Sequence, residues 1–134
     1  MSLAPLLNAS PTIQIHAFAA MAALAIGVVQ FGAPKGTLPH RAIGAVWVLL
    51  MLMVCISSFF IHTIRLWGPW SPIHLLSIFT LGSLPLAMWY AHRHDVVHHR
   101  VAMISIFVGG LVIAGLFTFV AASCMRCCLA LEWP

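Results

Sequence analysis

Histidine carries most of the chemistry this chain could do. His16 and His74 sit inside apolar stretches, while His40 and His99 each stand directly before an arginine, in "PHRAIG" and "HHRVAM". Neutral imidazole is a common metal ligand. A titratable side chain within a membrane segment is costly, and marks a candidate functional site. Two imidazoles that face one another can hold one iron porphyrin, and Arg41 and Arg100 would then supply counter-charge to the haem propionates. No C-x-x-C-H run occurs, so covalent c-type haem is not indicated. Acid chemistry is excluded on composition. Asp95 and Glu132 are the only carboxylates, too few for a protease, a glycosidase or a carboxylate-based proton pump. No nucleophile with an adjacent base can be read.

The elements that must position these residues are membrane helices. The chain has 134 residues, 63% apolar and 6% charged, against about a quarter charged in a soluble domain. A spanning helix needs roughly 20 apolar residues, and four such stretches fit, at about 11–33, 41–63, 72–91 and 100–122. The expected fold is all-α: one domain, an up-down-up-down bundle of four transmembrane helices. Ser10-Pro11 and Ser71-Pro72 read as helix starts, serine at the cap and proline in the first turn. Thr37 with Pro39 is a similar signal. "FGAPKG", "WGPW" and "AHRHD" read as stops, and Pro85 should kink the third helix. Small residues (Ala19, Ala20, Ala23 and Gly27, then Gly109, Gly110, Ala114 and Gly115) suit close helix contacts.

The first ten residues have no positive segment, so they read as a short interfacial lead-in and not as a cleaved signal. Lys35, Arg41, Arg93 and Arg100 flank the first and third loops, against Arg65 in the second. The positive-inside rule then predicts both termini on the periplasmic side of a bacterial inner membrane. No basic stripe on a soluble face suggests nucleic acid. Cys55 reads as a small buried residue, and Cys124, Cys127 and Cys128 lack the second pair a metal motif would need.

The two halves look alike. Ile15-His16 and His40-Arg41 in the first half correspond to Ile73-His74 and His99-Arg100 in the second, with histidines 24 and 25 residues apart. Two similar hairpins would place His16 and His74 on one diagonal of the bundle and His40 and His99 on the other. Each pair could ligate one haem b, at levels roughly 20–25 Å apart. His62 and His98 are alternative ligands, and His92 and His94 are expected to face water. A three-histidine zinc site from His16, His74 and His62 is a weaker alternative.

Three runs, "KGTLPHRAIGAVWVLLML", "SPIHLLSIFTLGSLPLA" and "HRVAMISIFVGGLVIAGLFTF", resemble the bacterial family known as domain of unknown function 2306, four-helix membrane proteins. The resemblance implies the fold and the membrane location, and no reaction. The histidine layout, though not the sequence, is similar to that of di-haem b-type cytochromes. After "GLFTF" the resemblance implies a segment like P-G-R-x-M-H, whereas this chain has "VAASCMRCCLALEWP". With suitable codons, Ala121–Trp133 reads in another frame as G-R-I-M-H-A-L-L-P-G-P, so the tail 121–134 is expected to stem from a frameshift. The leading expectation is a membrane electron-transfer protein, with quinone or a larger membrane complex as partner. The alternatives are a cofactor-free accessory subunit and a transporter of small ligands or metal.

Overall fold

The computed structural model describes residues 4–61, 72–116, 118 and 119. They form helices α1 (Ala4–Leu7), α2 (Pro11–Gly32), α3 (Leu38–Ser58), α4 (Pro72–His92) and α5 (Val96–Phe107). The last runs on through a π-helical segment, Val108–Ile113. No strand occurs among the described residues. Four of their helical stretches are long and apolar enough to cross a membrane: Pro11–Gly32, Leu38–Ser58, His74–His92 and Val96–Leu116. Consecutive long helices pack side by side, as short loops require for α2–α3 and α4–α5.

Local signals explain most of the ends. Pro11 opens α2 and Pro72 opens α4. Two helices begin earlier than their hydropathy suggests. The Thr37 hydroxyl accepts from the His40 N–H at 3.3 Å and starts α3 at Leu38. The Asp95 carboxylate accepts from the His98 N–H at 3.2 Å and starts α5 at Val96, not at residue 100. In both cases the cap decides the boundary and the apolar run only follows it. At its far end α3 stops at Ser58, short of residue 63, because Phe59, Phe60 and Ile61 bond back three residues to Ile56, Ser57 and Ser58. Such bonds tighten a last turn. The turn residues Gly36 (φ 82°) and His94 (φ 57°) are left-handed, and histidine is among the few side chains enriched there.

Lipid gives no hydrophobic drive between helices, so close contact and hydrogen bonds hold them. The centre is built from Trp47, Met51, Leu84, Ile106, Phe107 and Leu111, set against Ala23 and Ala87. The Trp47 indole lies on α2 and donates to the Ala23 carbonyl at 2.9 Å. Phe107 fills the notch left by Gly27: a Cβ there would stand 2.7 Å from Phe107 Cδ2 and 3.0 Å from Trp47 Nε1. Gly110 makes the same room for Met51, whose Cε would lie 3.2 Å from an added Cβ. Gly27 and Gly110 therefore receive side chains of neighbouring helices, whereas Gly115 has nothing within 4 Å of an added Cβ. Outside, Leu49, Ile56, Phe60, Phe79, Val101 and Ile113 are exposed, forming faces that bilayer hydrocarbon covers.

Candidate functional site

The two ends of the bundle hold different arrangements of histidine. His40 lies in the first turn of α3 and His99 in the first turn of α5. Helices α3 and α5 run in the same direction across the bundle. Met51 of α3 meets Gly110 of the π-helical segment that continues α5, with the same sequence separation as between His40 and His99, so the two histidines stand at similar height. His99 Nδ1 contacts the Ala87 carbonyl at 2.8 Å. A carbonyl only accepts, so the proton is on Nδ1 and the neutral ring keeps a lone pair on Nε2. That is the arrangement in which metal-binding histidines are usually held. His40 is different. Its Nδ1 is buried and has no hydrogen-bond partner among the described residues. Arg41 and Arg100 are both exposed at this end.

At the opposite end, His16 Nδ1 reaches the Val54 carbonyl at 3.1 Å and Ser57 Oγ at 2.9 Å. The Ser57 hydroxyl donates to the Met53 carbonyl at 2.7 Å, so here too the imidazole proton sits on Nδ1. His74 is buried, with its ring 5.9 Å from that of Phe59. A Ser58–Ser77 hydrogen bond of 2.7 Å joins α3 to α4 beside it. His16 bonds at the level of Val54 and Ser57, whereas His74 faces Phe59. The pair is thus staggered by about one helical turn, roughly 5 Å.

Residues 13–130 match the predicted membrane protein family DUF2306. The chain belongs to that family. No curated protein and no solved structure matches it. The family match extends past Ala121, where the sequence reading expected the tail to depart, and those tail residues lie outside the described ones.

The remaining candidates of this DUF2306 protein divide clearly. His98 is exposed, bonds Asp95 at 2.7 Å and stacks on Tyr90 with ring centroids 5.2 Å apart. It closes a helix cap. The His98 N–H, and then its ring, hold the Asp95 carboxyl below its ordinary value. His92 and His94 are exposed, as expected. Arg93 lies 4.7 Å over the Trp89 ring. His62 and Arg65 fall outside the described residues, as do Cys124, Cys127 and Cys128. Cys55 is buried with a free thiol. No group of three or more His, Cys, Asp or Glu side chains able to hold a metal ion occurs among the described residues.

Sequence reasoning missed two participants. Gln30 of α2 donates from Nε2 to the His40 carbonyl at 2.6 Å, and Ser57 holds His16. A signal existed for the first: the chain's two glutamines, Gln14 and Gln30, lie in the otherwise apolar α2. Gln14 is used locally, donating to the Leu7 and Ala9 carbonyls.

Proposed function

We propose that this protein is a membrane-embedded, b-type cytochrome-like electron carrier, with a haem held between His40 and His99. The observation that carries the reading is the pairing of two first-turn histidines at similar height on diagonal helices. One has its Nδ1 satisfied by a carbonyl and its Nε2 lone pair available, and the other keeps a buried, unpartnered ring nitrogen. Bound haem would supply one-electron chemistry. The protein's part would be to hold the two rings, and to place Arg41 and Arg100 near the propionates at the surface. Small carriers such as a quinol, or a larger membrane complex, are the partners this reading suggests, in a bacterial inner membrane with both termini periplasmic.

The His16/His74 end supports a second haem less well. Its rings are staggered by about a turn, and haem insertion there would have to work around the Ser57–His16 and Ser58–Ser77 contacts. The filled centre favours a second reading, that of a cofactor-free accessory subunit whose glycines serve helix packing alone.

Visible spectra of the detergent-purified protein, oxidised and dithionite-reduced, with a pyridine haemochrome assay, separate the two. The expected result is a b-type spectrum with one haem per chain. His40→Ala or His99→Ala abolishes it and His16→Ala retains it. A colourless protein after haem-supplemented expression would overturn the cytochrome reading and leave the accessory role.

A further inference from the structure

Two buried polar atoms at the His40/His99 end have no hydrogen-bond partner among the described residues: His40 Nδ1 and Gln30 Oε1. They belong to residues that already touch, because Gln30 Nε2 donates to the His40 carbonyl at 2.6 Å. That bond fixes which way the amide points. Turning it over would set Oε1 against a carbonyl oxygen, which cannot donate. The acceptor Oε1 is therefore left over, on a residue that touches His40, whose ring nitrogen is also left over. Leaving either atom buried and unpaired is costly, and the two needs are complementary if the imidazole proton is on Nδ1.

The other hairpin shows the completed arrangement. There the Ala87 carbonyl of α4 accepts from His99 Nδ1 across the helix pair, and Ala87 is fully buried. In the first hairpin Gln30 lies near the end of α2 and against the first turns of α3, with its amide on the His40 carbonyl. Gly44 lets it lie there, since a Cβ on Gly44 would come within 3.2 Å of Gln30 Nε2.

We infer that Gln30 is a positioning residue of this site. Its Oε1 accepts the Nδ1 proton of His40 when the ring turns to present Nε2 toward His99, as the Ala87 carbonyl does for His99. The benefit for a ligand rests on the haem reading, because a neutral imidazole with its Nδ1–H engaged is the better iron ligand. The tautomer of His40 does not rest on it.

The test compares Gln30→Leu, which removes both hydrogen bonds, with Gln30→Glu, which keeps only an acceptor. Two readouts are taken on the full-length protein in detergent: the ¹⁵N shifts of the His40 ring in the haem-free protein, and the dissociation constant of added haemin. The wild type and Gln30→Glu are expected to hold the His40 proton on Nδ1, and Gln30→Leu to move it toward Nε2–H. The haemin dissociation constant should rise roughly 10–100-fold in Gln30→Leu and stay near the wild-type value in Gln30→Glu. Equal losses in both variants would mean that the Nε2 bond to the His40 carbonyl is all that Gln30 provides, and would overturn the inference. An unchanged tautomer and affinity in Gln30→Leu would overturn it as well. If wild-type protein binds no haemin, the cytochrome reading fails, while the ring shifts still decide whether Gln30 sets the tautomer.

Discussion

Replacing Gly27 with alanine tests the packed centre most directly. In an open helix position this change stabilises by about 1 kcal/mol, since alanine is the better helix former. Gly82 of α4 is such a position, with no atom within 4 Å of an added Cβ, so Gly82→Ala should gain up to about that amount. At Gly27 the added methyl would stand 2.7 Å from Phe107 Cδ2 and 3.0 Å from Trp47 Nε1. Neither neighbour yields freely. Phe107 is set edge-on against Phe31, with centroids 5.0 Å apart, and Trp47 is pinned by its bond to the Ala23 carbonyl. Overpacking of a filled site costs typically about 1–3 kcal/mol. The net effect of Gly27→Ala is then about 0–2 kcal/mol destabilising, so the two alanine variants should differ by about 1–3 kcal/mol. Equilibrium unfolding in mixed micelles, followed by circular dichroism, reads this difference. A double-mutant cycle with Phe107→Leu should show a coupling of about 0.5–3 kcal/mol, because the smaller ring partner relieves the clash. If Gly27→Ala is as stable as Gly82→Ala, and shows no coupling to Phe107→Leu, the centre is not filled as described. Room for a cofactor in mid-membrane would then return.

Trp47→Phe removes the indole donor to the Ala23 carbonyl and leaves a cavity where the larger ring stood, so it should cost about 1–3 kcal/mol in the same unfolding assay. Ser58→Ala breaks the α3–α4 hydroxyl bond at 2.7 Å; interhelical bonds of this kind in membranes average about 0.6 kcal/mol, so a small loss is expected and a loss above 2 kcal/mol would point to a wider network. Asp95 is held below its ordinary value of 3.8 first by the His98 N–H. A lowered folded pKa contributes stability that is present above the unfolded value and lost as pH falls through the folded one. The stability advantage of wild type over Asp95→Asn, which caps without titrating, should therefore be constant above pH 5 and shrink below pH 4 in a series of thermal unfolding curves.

The helices were readable in the sequence because four long apolar stretches and the Ser-Pro starts both report the same elements. The start of α3 was signalled by Thr37 with Pro39, although the apolar run alone placed it at residue 41; the start of α5 was not read, because Asp95 caps ahead of the apolar run and a cap is one residue against a window of twenty. The π-helical turn at Val108–Ile113 gave no signal beyond two adjacent glycines, whose consequence depends on Met51 and Thr80 of other helices meeting them. At the site, residue type was legible and pairing was not. The histidines stand out from an apolar background, but only the assembled bundle shows that His16 bonds Ser57, that His98 belongs to a cap, and that Gln30 lies against His40.

Aligning the two halves on their HR pairs also concealed a difference of one residue. Thr37 caps three positions before His40, whereas Asp95 caps four positions before His99. One residue turns a side chain about 100° around its helix, so the two imidazoles cannot find equivalent surroundings on their own hairpins. One ring meets a backbone carbonyl of the preceding helix, whereas Nδ1 of the other has no hydrogen-bond partner among the described residues. Repetition of a dipeptide thus places both histidines at one end of the bundle, while the caps decide what each ring touches. The same reasoning weighs against a path for solutes through the bundle. His16 and His74 lie at the far end from His40 and His99, and Trp47, Met51 and Phe107 fill the space between. A solute crossing there would have to displace those side chains, so whatever chemistry the histidines support has to proceed at each end separately or pass between them as charge.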